Sequence, residues 1–260
     1  MATAIVMVGA AGRMGKCICD LTGNDAYSLA GVVDSAAQQE TLRGRYACPV
    51  ADSVDALMGK IPADAVFIDF TAPAVSMHTA EVAGKNGHPV VIGTTGLTQE
   101  QLGQLEDMAK TARLFWSSNM SIGINVLHKV LPQLVKLLGP DYDMEMFEIH
   151  HKHKKDSPSG TALSLGKTLA GARDWNLEDV RCSARDGIIG ERPQEQIGIQ
   201  ALRGGDVVGV HTMIFFGQGE RIEVSHQAHS REMFAKGALK AAAWMTGQKP
   251  GKLYSMQDVI

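Results

Sequence analysis

The chain has 260 residues, which is enough for one large core or two modest domains. Hydrophobic residues make up 45% of it and charged residues 20%, which excludes disordered and collagen-like proteins. The net charge of −3 favours neither nucleic acid nor an anionic membrane as a partner, and no apolar run reaches the ~18 residues of a membrane span. Because there is no signal-peptide pattern and the four cysteines are scattered, we expect a soluble, cytoplasmic protein.

Strand-like and helix-like segments alternate through the first half of the chain. The predicted strands are Ala4–Val8, Leu29–Val33, Ala65–Phe70, Pro89–Ile92 and Leu114–Ser117, and the predicted helices are Arg13–Leu21, Ala74–Ala83 and Thr98–Ala112. Thr98 and Gln101 have capping-box spacing at the start of the last of these helices. Continuous apolar strands that alternate with helices predict an α/β fold, with a doubly wound, Rossmann-type parallel sheet covered on both faces.

The pattern changes near Asn119 and predicts a second, α+β domain with a mixed or antiparallel sheet. The predicted elements are the helices Ile124–Leu138 and Ser159–Ala170, the strand Met144–Ile149, and three strands between residues 197 and 228. Gly204-Gly205-Asp206 and Gly217-Gln218-Gly219 are predicted to be hairpin turns between those three strands. We assign residues 120–227 to this domain, and residues 1–119 plus 228–260, which include a final helix Phe234–Met245, to the first.

The segment Gly9–Gly15 (GAAGRMG) follows a strand and opens a helix. Free amides at a helix N-terminus suit a pyrophosphate, and glycines let the backbone approach it closely. Asp34 ends the next strand, where an acid can hold ribose hydroxyls. An acid at this position disfavours the 2′-phosphate of NADPH, and Ser35 follows it instead of an arginine, so NADH is favoured. NADPH stays the alternative because Arg13, Arg43 and Arg45 are within reach in sequence.

Two further loops follow predicted strands, namely Gly93-Thr94-Thr95-Gly96 and Ser117-Ser118-Asn119-Met120. Ligands of open α/β sheets bind outside the carboxyl ends of the strands, which is where both loops lie. The same sequences are equally compatible with ordinary turns.

The run from Glu148 to Ala162 (EIHHKHKKDSPSGTA) combines three histidines with three lysines. It is compatible with a solvated basic loop, with a metal site, or with a catalytic loop for an acidic substrate. Three lysines would repel a metal ion, and no cysteine or carboxylate cluster stands nearby in sequence. Histidine moves protons near neutral pH, lysine pairs with carboxylates, and Ser159-Gly160-Thr161 opens a helix whose amides can hold an anion. The run therefore favours a small substrate that carries carboxylates.

This run resembles the signature of the 4-hydroxy-tetrahydrodipicolinate reductase family, also called dihydrodipicolinate reductases. The resemblance spans essentially the whole chain in family order. Its other landmarks are Val8–Gly15, Asp69-Phe70-Thr71, Gly93–Gly96, Asn119–Gly123, Arg185–Glu191, Leu202–Asp206, His211-Thr212 and Ser225–Phe234.

The resemblance implies a role for each matching residue. His150 is implied to be a proton donor or acceptor and Lys154 a second proton donor, with no metal. Substrate contacts are implied for His151, Ser159, Gly160 and Thr161. The implied cofactor-binding residues are Gly9, Ala10, Ala11, Gly12, Arg13, Met14, Gly15, Asp34, Phe70, Thr71, Gly93, Thr94, Thr95, Ser117, Ser118, Asn119 and Met120.

The implied activity is the NADH- or NADPH-dependent reduction of 4-hydroxy-tetrahydrodipicolinate, a small dicarboxylate, on the diaminopimelate route to lysine. The resemblance further implies a homotetramer built through the sheet of the second domain, and the site is expected between the domains. Three other functions stay open on the residues alone. They are another nucleotide-dependent reductase, a nucleotide-sensing protein without chemistry, and a metal-binding module that uses His150, His151 and His153.

Overall fold

The computed structural model describes residues 2–260, which form two compact units. The first unit is Met1–Ile122 together with Arg231–Ile260, and the second is Gly123–Ser230. The sequence prediction placed the domain boundaries after residues 119 and 227.

The first unit is built around a six-stranded parallel sheet. In chain order its elements are β1 (Thr3–Val8), α1 (Arg13–Asp20), β2 (Tyr27–Val33), α2 (Gln39–Arg45), β3 (Val50–Ala51), β4 (Val66–Asp69), α3 (Pro73–Lys85), β5 (Val90–Ile92), α4 (Gln99–Ala109) and β6 (Leu114–Trp116). The strand order is β3-β2-β1-β4-β5-β6, the doubly wound order that the alternation predicts. The capping box at Thr98 is confirmed, since Thr98 and Gln101 exchange backbone-to-side-chain hydrogen bonds.

Both faces of this sheet are buried, as β1 illustrates. Ile5 and Met7 pack into one hydrophobic cluster, whereas Val6 and Val8 pack into another on the opposite face. Successive side chains of a strand point to opposite faces, so a strand that is apolar throughout needs cover on both sides. The predicted two-sided parallel sheet is therefore confirmed.

The second unit contains a mixed five-stranded sheet. Its elements are α5 (Ile122–Leu138), whose first residue belongs to the first unit, β7 (Asp143–His150), α6 (Gly160–Gly171), α7 (Leu177–Val180), β8 (Arg181–Cys182), β9 (Ile197–Arg203), β10 (Gly209–Gly217) and β11 (Glu220–Ala228). The strand order is β11-β10-β7-β9-β8. β7 pairs parallel with β9 and antiparallel with β10, so the prediction of a mixed sheet is confirmed.

The predicted hairpin at Gly204–Asp206 is wrong, whereas the one at Gly217–Gly219 is confirmed by the pairing of β10 with β11. β9 and β10 do not pair with each other, because β7 lies between them. The connection from β9 to β10 instead passes over the end of β7. Gly204 N donates to His150 O at 3.0 Å, and His151 N donates to Val207 O at 2.8 Å. This crossing encloses the carboxyl end of β7.

Alternate residues of β7 are buried beneath α5 and α6. Met144 and Met146 belong to the hydrophobic cluster that includes Leu131 of α5 and Leu165 of α6. The same face continues into Glu148 and His150, and β7 therefore carries two polar residues on its buried side. Such residues need hydrogen-bond partners, because an unpaired buried polar group is costly.

The final segment of the chain returns to the first unit and forms α8 (Glu232–Met245) and α9 (Met256–Val259). Ala238 and Leu239 of α8 pack into the same cluster as Ile5 and Met7 of β1. The predicted packing of this helix on the first domain is therefore confirmed.

No helix within residues 2–260 is both long and apolar enough to cross a membrane. In the same described part of the chain, no three His, Cys, Asp or Glu side chains are grouped in a way that could hold a metal ion.

Candidate active site

The glycine-rich loop connects β1 to α1, and two of its glycines are required by its geometry. Gly9 has a φ of +87°, which favours glycine. A Cβ on Gly15 would lie only 2.1 Å from the carbonyl oxygen of Gly9. The loop is further fixed by hydrogen bonds from Gly9 N to Val33 O (2.8 Å) and from Gly12 N to Gly9 O (3.0 Å). Because Gly12 carries no side chain and is exposed, the loop leaves its backbone open to a ligand.

The first turn of α1 and the end of β2 complete a nucleotide-binding arrangement. The first hydrogen bond into α1 runs from Lys16 N to Gly12 O, so the amides of Arg13 and Met14 precede the helical ladder. Oδ2 of Asp34 accepts a hydrogen bond from Ala11 N and its Oδ1 accepts one from Ser35 N, both at 2.8 Å. Uncommitted amides at a helix N-terminus beside an acid at a strand end fit a dinucleotide.

Asp69, for which the sequence analysis predicted no role, joins the loops that follow β4 and β5. This carboxylate is completely buried at the end of β4. It accepts hydrogen bonds from the hydroxyls of Thr71 (2.6 Å), Ser76 (2.8 Å), Thr79 (2.7 Å) and Thr94 (3.1 Å). It also accepts one from the backbone amide of Thr71 at 3.0 Å. The loops after β4 and β5 are thus held together by one buried acid.

The predicted cofactor residues after β1, β4 and β5 lie together. A Cβ on Gly93 would lie 2.2 Å from Cζ of the Phe70 ring, so glycine is required beneath that ring. A Cβ on Gly9 would lie 2.8 Å from Cγ2 of Thr71. Thr94 is buried in the contact with Thr71, whereas Thr95 is exposed.

The loop after β6 is tied to the loop after β5, since Nε1 of Trp116 donates to Thr94 O at 3.1 Å. Within the loop, the Ser117 hydroxyl donates to Asn119 O at 2.9 Å, and Ser118 is exposed. Met120 is 2% exposed and packs in the core, in the same hydrophobic cluster as Ala10. Its side chain therefore supports the loop from below rather than lining it.

Replacing Gly15 with alanine is expected to lower the free energy of unfolding by about 1–3 kcal/mol, because the new methyl group would meet backbone atoms that cannot move aside. Nucleotide affinity should fall as well, since the loop must shift to relieve the clash. Denaturant unfolding and calorimetric titration with NADH measure the two effects. Gly103→Ala in α4 is the matched control, because a Cβ there meets nothing within 4 Å. Equal behaviour of the two variants would contradict the steric role of Gly15.

In the second unit, the side chains at the carboxyl end of β7 form a buried polar cluster. Nδ1 of His150 lies 2.6 Å from Oε2 of Glu148, and the two residues are 8% and 0% exposed. The His150 ring packs against His211 of β10, with the ring centroids 5.2 Å apart and the ring planes at 74°. Burial lowers the pKa of His150 below its ordinary value, although the hydrogen bond and the charge of Glu148 oppose this effect.

Glu148 is the centre of this cluster, and its carboxylate accepts four hydrogen bonds. Nη1 and Nη2 of Arg203 donate to its two carboxylate oxygens at 2.7 and 2.8 Å. The amide of Ser159 donates to Oε1 at 2.9 Å, and His150 Nδ1 contacts Oε2. Burial opposes ionisation of Glu148, but the hydrogen bonds from Arg203, His150 and Ser159 outweigh it and hold its pKa below the usual range. Glu148 is therefore a carboxylate at neutral pH.

Ser159 caps α6 and connects this cluster to the helix N-terminus. Its hydroxyl accepts a hydrogen bond from Ala162 N at 3.1 Å and lies 3.1 Å from Nε2 of His211. Burial, with a smaller contribution from His150, lowers the pKa of His211 to about 4. His211 is consequently neutral at physiological pH. Gly160 and Thr161 form the first turn of α6, where amides can hold an anion.

The loop between β7 and α6 carries the remaining predicted residues. Nζ of Lys154 lies 2.9 Å from Oδ2 of Asp156, and the two side chains are 21% and 58% exposed. Burial of Asp156 opposes ionisation, but Lys154 and the backbone amide of Gly160 lower its pKa overall. His151 is half-buried, and its buried Nδ1 has no hydrogen-bond partner among residues 2–260. An orphaned buried nitrogen of this kind is suited to a ligand.

Glu148, Arg203, His211 and Asp156 have no individual role predicted from the sequence. Glu148, His211 and Asp156 contact predicted site residues, and Arg203 binds Glu148. The available signal was the alternation along β7, which places Glu148 and His150 on the same face. Arg203 could not be found in this way, because it lies on β9. It comes next to His150 only through the parallel register of β7 with β9.

Comparisons with known proteins agree on one family. The family models for the N-terminus and the C-terminus of dihydrodipicolinate reductase match residues 3–120 and 123–260. The 4-hydroxy-tetrahydrodipicolinate reductases of Desulfovibrio desulfuricans and Nitratidesulfovibrio vulgaris are 63% and 56% identical to this chain, and each alignment covers 100% of both sequences. A dipicolinate-bound dihydrodipicolinate reductase from Paenisporosarcina sp. TG-14 shares the fold, with a TM-score of 0.78 at 24% identity and full coverage of both chains.

Proposed function

Because this chain belongs to the dihydrodipicolinate reductase family, and so catalyses the NAD(P)H-dependent reduction of 4-hydroxy-tetrahydrodipicolinate in lysine biosynthesis, we propose that His150 and Lys154 carry its proton chemistry. The observation that supports this most is the buried contact between Glu148 and His150 beside the N-terminus of α6. A histidine oriented by a carboxylate is a competent general acid or base near neutral pH.

The substrate carboxylates would be held by the N-terminus of α6 and by Lys154. Gly160 and Thr161 form the positive end of the helix, and Ser159 caps it with its own amide bound to Glu148 and its hydroxyl bound to Ala162 N. Lys154 supplies a cation, and His151 supplies a ring nitrogen that has no partner within residues 2–260. Charge that develops on the reduced ring would be stabilised by Lys154 and by the positive end of α6, since preorganised groups of this kind lower a barrier.

The cofactor would be held by the glycine-rich loop, Asp34 and the loops after β4, β5 and β6. The nicotinamide, when bound, supplies the hydride, and the protein supplies orientation and charge. The hydrogen bonds of Asp69 and Thr94 keep the loops after β4 and β5 in one position. The predicted cofactor residues need not all contact the ligand, and Thr95 and Ser118 are exposed and accessible to it.

The test is a coupled assay in which dihydrodipicolinate synthase generates the unstable substrate in situ. Oxidation of NADH and of NADPH is followed by the absorbance of the reduced nicotinamide. We expect substrate-dependent oxidation that is strongly reduced in the His150 and Lys154 variants. Full activity in both variants would contradict their proposed roles.

We propose NADH as the preferred cofactor. Both oxygens of Asp34 accept backbone hydrogen bonds, and Asp34 would repel a 2′-phosphate. Of the arginines that keep NADPH as the alternative, Arg45 is already paired with Asp20 at 2.6 Å, whereas Arg13 is exposed.

Replacing Ser35 with arginine is expected to raise kcat/KM for NADPH relative to NADH by about tenfold, since one charge-assisted hydrogen bond to a phosphate is worth roughly 1.5–3 kcal/mol. Initial rates with each cofactor measure the ratio. Ser28→Arg is the matched control, because it adds the same charge at the other, exposed end of β2. A ratio that changes equally in both variants would contradict the local role of position 35.

We also propose a homotetramer that forms through the sheet of the second unit. Phe147, Ile149, Val210 and Ile214 are only half-buried on the sheet face opposite the helices, and Phe216 is 38% exposed. An apolar sheet face of this kind is suited to an interface. Light scattering measures the assembly, and a mass of one chain, 27.8 kDa, would contradict the proposal. A cytoplasmic location is proposed because all four cysteines are free thiols.

A further inference from the structure

We propose that Glu148 and Arg203 are positioning residues that act through His150: Glu148 fixes the ring with Nδ1–H toward the carboxylate, and Arg203 fixes Glu148 and moderates its charge. This inference rests on the proposed role of His150. It assigns a function in the reaction to two residues that need not touch the substrate.

The hydrogen bonds determine which nitrogen of His150 carries the proton in the neutral ring. Glu148 is a carboxylate and can only accept, so Nδ1 of His150 must donate to it. Nε2 is then the nitrogen that exchanges protons with a ligand. On its far side Nε2 faces Gly209, where a Cβ would lie 3.0 Å away. The lack of a side chain at Gly209 therefore leaves room for the ring in this orientation.

Arg203 prevents Glu148 from acting as an isolated charge. It binds both carboxylate oxygens, and its Nη2 also donates to the carbonyl of Asp156 at 2.7 Å. A bidentate arginine fixes a carboxylate in orientation as well as in charge. Since Glu148 also receives the Ser159 amide, the same carboxylate positions the proton donor and the start of α6.

The charged and titratable groups around His150 act in opposite directions. Glu148 on the same strand raises its pKa, whereas Lys154 in the following loop and Arg203 on β9 lower it, and burial lowers it further. His211 on β10, which has His226 beside it, is neutral at physiological pH because its own pKa is about 4. Removal of Glu148 and removal of Arg203 should therefore shift the titration of His150 in opposite directions.

The experiment is an NMR titration of the ligand-free protein with ¹⁵N-labelled histidine. In the wild type, long-range proton–nitrogen correlations should show His150 with its proton on Nδ1. Glu148→Gln should lower the midpoint of His150 by about one pH unit, and Arg203→Met should raise it by about one unit. Circular dichroism establishes that each variant is folded, and Arg203→Met keeps the test valid if Glu148→Gln does not fold.

Arg185→Met is the matched control. Arg185 binds both oxygens of Glu145, which lies on β7 but points to the face opposite Glu148. This variant should leave the midpoint of His150 unchanged. A merely structural role for Arg203 would lower stability in the variant without raising the midpoint.

Midpoints that stay fixed or move in the same direction in the folded Glu148 and Arg203 variants would overturn the proposal, as would a neutral ring protonated on Nε2. The pH profile of kcat/KM tests the underlying function separately, because it reports groups of the free enzyme. Opposite shifts of both the midpoint and the profile support the whole scheme. Opposite midpoint shifts with an unmoved profile support the positioning of His150 but contradict its role as the proton donor.

Discussion

Replacement of His150 with glutamine is expected to lower kcat by about 10²- to 10⁴-fold, with a much smaller change in KM. Glutamine is similar in length to histidine, and its amide can still donate a hydrogen bond to the buried oxygen of Glu148. It cannot transfer a proton at neutral pH, however. Because the buried carboxylate keeps a partner, the fold should survive while the chemistry is lost. Steady-state rates in the coupled assay measure both constants.

His153→Gln is the matched control for this variant. His153 lies three residues after His150, in the loop that follows β7, and is exposed. The same substitution there should leave kcat close to the wild-type value. If His150→Gln retains full kcat, or if His153→Gln loses as much, His150 is not the proton donor.

His211 should not compensate for the loss of His150, although the two rings are in contact. Its pKa of about 4 keeps it neutral at physiological pH, and its Nε2 is engaged with the Ser159 hydroxyl. A neutral imidazole held in this way is a poor acid. The residual rate of His150→Gln should therefore reflect binding and orientation alone. In the wild type, kcat/KM should fall with rising pH, because the pKa of the proton donor His150 lies below its ordinary value. His150→Gln should lack this decline.

The parallel sheet of the first unit could be predicted because each local signal agreed with the global fold. β1 is apolar from Ala4 to Val8, Gly9 follows it, and Asp34 ends the next strand. These three features of the sequence together indicate a nucleotide-binding unit. The short elements α2 and β3 were missed, since a strand of two residues such as Val50–Ala51 carries no readable periodicity.

The second unit was less predictable because its critical contacts are distant in sequence. The turn chemistry of Gly204-Gly205-Asp206 is that of a hairpin, but β7 inserts between the two strands that the turn connects. Strand order depends on long-range pairing, which a turn motif does not encode. For the same reason Arg203 could not be assigned to Glu148, 55 residues away, although His150 itself was predicted from the motif. Charge complementarity between an acid and an arginine becomes informative only once the register is known.

Replacement of Lys154 with alanine is expected to raise KM by about tenfold to a hundredfold, since hydrogen bonds to charged groups contribute roughly 1.5–3 kcal/mol. It should also lower kcat. One reason is Asp156, whose carboxylate contacts both Lys154 and the Gly160 amide. Without the lysine, Asp156 would keep the Gly160 amide but lose its cation, and its negative charge would repel a substrate carboxylate at the place where one is proposed to bind. Initial rates over a range of substrate concentrations measure both constants.

Two further variants separate the charge of Lys154 from its proton. Lys154→Arg keeps a cation and should largely restore KM, but an arginine does not release its proton, so kcat should stay low. Asp156→Asn removes the competing carboxylate while leaving Lys154 in place, and KM should not rise. If Lys154→Arg restores kcat as well as KM, the lysine only binds the substrate, and the second proton must come from another group or from water. If Lys154→Ala changes neither constant, the substrate carboxylate is held elsewhere, and the N-terminus of α6 becomes the group to test next.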